Sequence, residues 1–429
     1  MNMDTITGAA VTSKKQPSPR QRRGAKRRIS LDSSRLGLAA AATVLAYFGL
    51  SDALANVVAR NSTELAQVMA PWDGMIAGRH AERMFSMQPG GDRAADYAHL
   101  AREALRSEPM SAEAINVLGL QAQLRNEPGQ TRDIFRYSIE LTRRELPPRL
   151  WSIEDGVSRG DVTGVLREYD LALKTSRQAK DILFPVLVGA VEERQIRALV
   201  LRLLATDPVW TREFVRFATR SPIAPGAVAS MIREDESGAL DMDESDRVSL
   251  VDTLVNTSNP EAAWNFYEYF RPESARDGLR DPTFGALDRP SSVFDWQIQG
   301  FGFPSQSAQG TSLGISVPAT ESGDIVRQFM VLPAGRYRLQ GRVSGIDQPR
   351  QSQPYWLVVC LDDSSELGRV TISSPAGESA QFEMPFTVSP GCTTQVLSLI
   401  ARPTDAIRGV EGDIETVSID RVGSNSGSR

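Results

Sequence analysis

IVRQFMVLPAGRYRLQGRV, residues 325–343, is the stretch that decides the fold of the last third of this chain. Apolar and polar side chains alternate over 325–332 and again over 336–343, a period of two that is typical of a strand with one buried face. LPAGRY, residues 332–337, separates the two runs and predicts a tight turn in which Gly335 supplies backbone freedom. The stretch therefore predicts a strand, a turn and a second strand.

The same alternation continues on the C-terminal side of this stretch. Further strands are predicted at 356–361, 368–373, 380–387, 394–401 and 413–421. Many short strands separated by turns are typical of an antiparallel β-sandwich, which we place at 291–424. The polar segment 276–290, with Pro282 and Pro290, is predicted to be a linker, and 425–429 to be a flexible tail.

Three features of this region resemble the jelly-roll domains of the carbohydrate-binding type. They are the opening Phe294-Asp295-Trp296, the turn at 332–337 and the closing strand Ile414–Asp420. The resemblance implies a jelly-roll sandwich in which the last strand returns close to the first, and it implies a polysaccharide as ligand. It rests on strand order and turn chemistry, and no motif in it identifies a ligand.

Sugar binding requires an exposed flat ring for stacking, with carboxylate or amide groups nearby for the hydroxyls. The candidates for stacking are Trp296, Phe301, Phe303, Tyr355 and Trp356, with Asp295, Gln297 and Asp362 as polar neighbours. Core packing is the competing interpretation, because Trp296 alternates with Phe294 and Ile298 as a core residue would. Phe301 and Phe303 are separated by glycine and are better loop candidates.

Only two cysteines occur, Cys360 and Cys392. They do not form a C-x-x-C motif, which excludes a zinc ribbon and a thioredoxin-type motif. In an oxidising compartment the two predict a disulfide. Two separately buried thiols are the alternative.

Apolar residues recur with helical period between 60 and 275, and prolines separate the segments, which predicts an α-helical repeat domain. Ten residues resemble the tetratricopeptide repeat: Ala104, Leu105, Pro109, Leu118, Gly119 and Phe135, then Gly160, Tyr169, Ala172 and Leu173. The resemblance implies stacked helix pairs, with Gly119 and Ala172 small where helices approach closely, and a concave surface that binds a protein segment. An unrelated helix bundle is the alternative.

No metal site or cofactor is predicted. Asp241, Asp243, Ser245 and Asp252 have calcium-loop spacing, but Asp246 stands where that loop needs glycine. Capping of the following helix is the simpler interpretation. The two histidines, His80 and His99, both precede the sandwich, which therefore lacks the commonest general base.

Residues 1–35 carry nine Lys or Arg against two Asp, and an apolar run begins at Leu36. Positive charge is retained on the cytoplasmic side of a membrane, so we expect a basic, disordered cytoplasmic tail followed by one transmembrane signal-anchor helix over 36–59. Ala53-Leu54-Ala55 also fits signal cleavage, so a secreted protein cut after Ala55 stays open. Both alternatives place 60–429 outside the cytoplasm.

The net charge of −5 conceals a +7 tail on a −12 remainder, which argues against nucleic-acid binding by the folded part. Zinc-protease and phosphate-loop motifs are absent from the sequence. The sequence predicts a non-catalytic protein of the bacterial inner membrane with a periplasmic body: helices for a partner protein, a sandwich for a glycan or another subunit. A role in exopolysaccharide assembly or export follows by analogy of fold, and a two-carboxylate glycan-active enzyme is the less favoured alternative.

Overall fold

The structure is a computed structural model that describes residues 33–89, 93–257, 259–274, 276–307, 310–375, 378–404 and 409–423. Two compact units divide the chain, Met1–Gln121 and Ala122–Arg429. Within the described residues the fold class is as predicted, with α-helices first and an antiparallel β-sandwich last. The predicted flexible tail 425–429 and all but the last three residues of the predicted basic tail 1–35 lie outside the described residues.

The described residues of the first unit form helices and the turns between them. The helices are α1 (Ser33–Val58), α2 (Thr63–Met69), α3 (Gly74–Met87), α4 (Ala94–Ser107) and α5 (Ala112–Leu124), whose last turn belongs to the second unit. Ser62 and Asp73 cap α2 and α3 by accepting hydrogen bonds from backbone N–H groups of the first turn. Helix α1 contains an apolar segment, Ala40–Val58, that is long enough to cross a membrane.

Nine further helices are described in the second unit. They are α6 (Pro128–Leu141), α7 (Leu146–Ser158), α8 (Val162–Thr175), α9 (Gln178–Ala190), α10 (Arg194–Leu204), α11 (Thr211–Arg220), α12 (Pro225–Glu234), α13 (Glu244–Asn256) and α14 (Pro260–Phe270). Helix α7 packs against α8, where a Cβ on Gly156 would come 2.7 Å from Val165 Cγ2. The missing side chain therefore lets the two helices approach.

Two five-stranded sheets follow the helices. The strands are β1 (Gln297–Ile298), β2 (Gly302–Ser307), β3 (Gly310–Val317), β4 (Gly323–Met330), β5 (Gly335–Ser344), β6 (Tyr355–Cys360), β7 (Glu366–Thr371), β8 (Ser379–Val388), β9 (Gln395–Ala401) and β10 (Val410–Arg421). Sheet A has the order β1-β4-β9-β6-β7 and sheet B the order β2-β3-β10-β5-β8, and every pairing is antiparallel. The last strand returns to the early ones, because β10 pairs with β3.

The stretch 325–343 forms the two predicted strands, but they do not pair with each other. Strand β4 belongs to sheet A and β5 to sheet B, so the turn between them carries the chain from one sheet to the other. The expected role of Gly335 was wrong, since its φ is not in the left-handed region. A Cβ at Gly335 would instead lie 3.1 Å from Nε of Arg421, whose Nη2 donates to the Ala334 carbonyl.

The predicted linker 276–290 has no helix or strand, yet it packs onto the sandwich. Phe284 is buried in the sandwich core, with its ring 5.1 Å from that of Trp296. The Pro282 carbonyl accepts a hydrogen bond of 3.0 Å from the Val417 N–H. Residues 276–290 therefore do not act as a free connection between helices and sheets.

The helical core extends across this segment into the sandwich. Phe294 is fully buried and its ring lies 5.2 Å from that of Trp264 and 5.4 Å from that of Tyr267, both on α14. The Tyr267 hydroxyl donates to Asp295 Oδ1 at 2.6 Å and accepts from Arg280 Nε at 2.8 Å. Apolar contacts and a buried polar network thus join α14 to the sandwich.

Candidate functional site

A polar groove of about 470 Å³ lies on the outer face of sheet B. Strands β5, β8 and β10 form its floor, and the residues lining it are Gln340, Gly341, Arg342, Gln381, Phe382, Glu383, Thr416 and Ser418. Successive side chains of a strand point to opposite faces, so the buried Leu339, Val343 and Met384 fill the core while their polar neighbours face outward. The inward side chains of these strands thus build the core, and their outward side chains line the groove.

A β-bulge shapes the floor of this groove. The β10–β5 register shifts between Ile414 and Thr416, so that Glu415 is the extra residue on β10. The Glu415 side chain is 6% exposed. Its Oε1 accepts a hydrogen bond of 2.8 Å from Ser379 Oγ, and its Oε2 lies 4.0 Å from Nε of Arg342. Oε2 accepts no hydrogen bond from any residue that the structure describes.

This arrangement leaves a buried carboxylate oxygen beside the groove with unused acceptor capacity. A buried polar atom without a partner costs free energy, and such atoms are uncommon in folded proteins. The neighbouring groups are mostly paired: Arg338 bonds Glu383 at 3.1 Å, and Gln340 Nε2 donates to Asp420 Oδ2 at 2.9 Å. The groove can therefore offer donors and acceptors to a neutral polyhydroxyl ligand without a large net charge.

Two of the five predicted stacking residues are in the core. Trp296 is 4% exposed and Trp356 is fully buried, with their ring centroids 5.9 Å apart. The Trp296 indole N–H donates to the Asp281 carbonyl at 2.8 Å, which ties it to the segment before the sheets. Neither ring can lie flat against a sugar, so for these two residues the core interpretation replaces the stacking prediction.

The other three predicted aromatics lie nearer the surface. Tyr355 lies between two guanidinium groups, with Cζ of Arg369 at 4.7 Å and of Arg402 at 4.4 Å from its ring centroid. Phe301 is half-buried and packs against the sandwich core. Phe303 is 47% exposed and stands directly opposite Gly314 on sheet B, with its ring over that glycine.

Phe303 shares the outward face of sheet B with the groove. Gly314 alternates with the buried Leu313 and Ile315, so the ring over Gly314 is on the outer side. Two strand spacings of about 4.8 Å separate β2 from β10. Phe303 therefore provides one exposed ring at the margin of the polar face.

The polar residues predicted to accompany the rings are not grouped with the groove. Asp295 accepts from Tyr267 and from Ser292, at the junction with α14. Gln297 accepts from Arg327 Nε at 3.3 Å on sheet A. Asp362 accepts from the backbone N–H of Thr393 at 2.6 Å and from its hydroxyl at 2.8 Å.

Cys360 and Cys392 are joined by a disulfide, with their Cα atoms 5.8 Å apart. Cys360 ends β6, and Cys392 lies in the turn before β9. The bond therefore closes one end of sheet A, next to the Asp362–Thr393 hydrogen bonds. The disulfide and the groove belong to different sheets.

Most of the predicted repeat residues are buried. Ala104, Gly119, Phe135, Tyr169, Ala172 and Leu173 are buried, Leu105 and Leu118 are partly buried, and Pro109 and Gly160 are exposed in loops. Gly160 has a φ of +72°, a conformation that favours glycine. Two hydrogen bonds of the first unit join residues 34 positions apart, Arg79 to Glu113 and Asn116 to Glu82. That spacing equals one tetratricopeptide period; the tetratricopeptide assignment stays a prediction.

The acidic stretch before α13 caps a helix, and the calcium alternative was wrong. Asp243 Oδ1 accepts from the Asp246 N–H at 2.8 Å, an N-cap bond. Asp252 lies two turns further along α13, where its Oδ1 accepts from the Val293 N–H at 2.9 Å. Burial raises the pKa of Asp252 to about 6, the hydrogen bond from Val293 opposes this, and nearby Asp295 adds to it.

Glu415 is the site residue that sequence reasoning missed. Ile414 and Val417 are both buried although they are three residues apart, which a regular period of two does not allow. The pair Glu415-Thr416 between them is the signal of an extra residue, and it places two successive polar side chains on the outer face. That interruption of the alternation was available in the sequence.

Comparison with known proteins gives no family assignment. No protein-family model matches the chain, and no curated protein matches it. Among solved structures, the chain is similar to the enzymatically active domain of a bacteriophage CBA120 tailspike protein, with 12% identity and a TM-score of 0.26 over 34% of this chain and 22% of that one. This chain thus covers about a fifth of the tailspike chain.

Two carbohydrate-binding modules are also similar. One is a module from Cellvibrio mixtus lichenase 5A in complex with cellotriose, with 11% identity and a TM-score of 0.22 over 34% of this chain and 98% of that one. The other is the C-terminal module of the LamC laminarinase from Zobellia galactanivorans, with 14% identity and a TM-score of 0.21 over 28% and 90%. At these values the similarities carry no argument about function.

Proposed function

We propose that this chain is a non-catalytic, membrane-anchored protein that binds a polysaccharide on the outer face of sheet B. The observation that carries the proposal is Oε2 of Glu415, a buried carboxylate oxygen that accepts no hydrogen bond from the described residues and adjoins a groove lined by amide, hydroxyl, guanidinium and carboxylate groups. Sugar hydroxyls both donate and accept, so a mixed row of donors and acceptors suits them.

The mode of recognition is mainly hydrogen bonding. The groove has one aromatic lining residue, Phe382, which is 8% exposed and packs inward. Phe303 supplies the exposed ring, at the margin and two strands from β10. An extended chain of several sugar units would contact the groove with its hydroxyls and Phe303 with one pyranose face.

The membrane anchor and the compartment complete the proposal. Nine cations precede the apolar run that begins at Leu36, and the disulfide Cys360–Cys392 suits an oxidising compartment. We place the N-terminus in the cytoplasm of a bacterium and the body in the periplasm. The helices would hold a partner protein while the sandwich holds the glycan, which fits a role in exopolysaccharide assembly or export.

The experiment is a glycan array with the full chain in detergent micelles, followed by titration of the best-binding polysaccharide. Glu415→Gln preserves shape but removes the carboxylate acceptor, and we expect at least tenfold weaker binding, since hydrogen bonds to charged groups contribute about 1.5–3 kcal/mol. Glu411→Gln is the matched control, because Glu411 is an exposed residue of the same strand that lies outside the bulge.

Equal affinities of the two variants would contradict the groove as the site. Uniform failure of the chain to bind any glycan would contradict polysaccharide binding altogether. Release of shortened sugars from the bound polysaccharide would contradict the non-catalytic assignment and favour the two-carboxylate enzyme.

A further inference from the structure

Part of the predicted membrane span packs against another helix of this chain. Helix α2 packs against the C-terminal half of α1, where Ser51 Oγ donates to the Met69 carbonyl at 2.6 Å. Four alanines are buried between the two helices: Ala55, Ala59, Ala66 and Ala70. Residues 51–59 therefore have protein on one side.

The chain after α1 runs back toward the apolar half of that helix. The Ser62 N–H donates to the Val58 carbonyl where the turn begins, and α2 ends beside Ser51. The turn after α2 brings Trp72 against Phe48, with ring centroids 4.7 Å apart in an edge-to-face contact. Trp72 thus lies beside the end of the uncharged run 36–50.

The outward surface of this hairpin carries several exposed apolar side chains, and Glu64 of α2 is exposed beside them. Leu65 and Val68 of α2 are 60% and 74% exposed, and Trp72 is 42% exposed. On α1, a rotation of 100° per residue places Leu54 and Val57 on a different side from Asp52 and Asn56, and all four are exposed.

Helix length forces part of this hairpin into lipid if α1 spans a membrane. The uncharged run 36–50 is 15 residues, about 22 Å as a helix, whereas the hydrocarbon core is roughly 30 Å thick. The span must continue into 51–59 to reach the far side. Because α2 packs on 51–59, α2 enters the boundary layer together with it.

We propose that the α1–α2 hairpin is embedded at the membrane–water boundary, with Leu65, Val68 and Trp72 in contact with lipid where headgroups meet acyl chains. The occupant of this apolar surface is the same bilayer that α1 crosses. Tryptophan is favoured at that depth, and helices with one apolar and one polar side lie there. This inference rests on the proposed membrane anchor.

The test is a depth measurement on the full chain in phosphatidylcholine vesicles that contain spin-labelled lipid. Val68→Cys is labelled with an environment-sensitive fluorophore; the chain's two cysteines are bonded to each other, so the new thiol is the one that reacts. We expect blue-shifted emission and at least twofold quenching by lipids labelled near the top of the acyl chain. Val209→Cys, at a valine 83% exposed in the other unit, is the matched control and should not be quenched.

Each outcome is decisive. A membrane-bound chain whose label at Val68 emits as in water and is not quenched overturns the inference but leaves the anchor. A chain that does not associate with vesicles overturns both. If circular dichroism shows that Val68→Cys does not fold, Leu65→Cys takes its place with the same expectation.

Discussion

The outward faces of the two sheets of the sandwich differ, because helices pack on one of them and the other carries an open groove. On sheet A, Phe329 of β4 packs against the helical core, which also includes Phe294 and Val331. On sheet B, the outward residues of β5, β8 and β10 are polar and leave a groove. The outward face of sheet A is therefore packed against helices, whereas the polar outward face of sheet B stays accessible to solvent. Phe294, an aromatic residue near the start of the sandwich, therefore joins the sandwich to the helices.

The largest expected effect lies on the closed face. Phe294→Ala removes a fully buried ring that packs edge-on against Trp264 and Tyr267, and we expect a loss of about 4 kcal/mol in unfolding free energy. Urea unfolding followed by tryptophan fluorescence measures it. Phe303→Ala on the open face is the control and should cost less than about 1 kcal/mol, because the ring is half exposed. Equal losses would remove the distinction between the faces.

A slightly smaller effect depends on pH. Asp252 contacts the Val293 backbone at the same junction, and its pKa is raised from 3.8 to about 6, chiefly by burial. The folded state then binds a proton more tightly than the unfolded state, so stability falls as pH rises from 4 to 6. The difference corresponds to about 3 kcal/mol at 1.36 kcal/mol per pH unit.

Asp252→Asn should remove this contribution, because the amide carries no charge and its oxygen can still accept from Val293. We expect the variant to be the more stable protein at pH 8 and to match the wild type near pH 4 in thermal unfolding. Asp288→Asn, at an exposed aspartate, should leave the pH profile unchanged. A profile for Asp252→Asn that parallels the wild type would show that this carboxylate does not titrate in the junction.

The open face is tested by binding. Phe303→Ala should weaken the best array ligand about tenfold, equivalent to about 1.4 kcal/mol, since it removes the exposed ring on the outer face of sheet B. Tyr137→Ala is the matched control, at a ring 49% exposed on α6. Unchanged affinity for Phe303→Ala would confine recognition to the polar groove.

The smallest effect is expected on sheet A. Tyr355→Ala removes a ring held between Arg369 and Arg402, and exposed cation–π contacts contribute about 0.5–1 kcal/mol each. We expect a loss of about 1 kcal/mol in stability and no change in glycan affinity. A loss of affinity instead would place the ligand on sheet A.

Sequence reasoning identified the kinds of element better than their partners. The alternation at 325–343 correctly predicts two strands, but their assignment to different sheets depends on contacts with β9, β8 and β10, which are distant in sequence. The capping of α13 by Asp243 was predictable, because a cap is a bond between residues three apart.

The candidate site was predicted less well. Which side chains face outward depends on their position in the alternation along each strand and on what packs over them. Trp296 and Trp356 have aromatic rings suited to stacking, but their side chains point into the sandwich. Both are core residues, as the competing interpretation holds. Of the five aromatics, Phe303 alone combines substantial exposure with the outer face of sheet B among the described residues. Glu415 escaped attention because its position beside the groove depends on a bulge.

The sequence by itself determined the order of helices and strands, the apolar N-terminal helix and the two cysteines that pair, because periodicity, length and composition act locally along the chain. The tertiary structure decided that 276–290 packs on the sandwich, that α2 covers the end of α1, and that the groove lies on sheet B. Those outcomes depend on long-range contacts, whose free energies a local pattern does not encode.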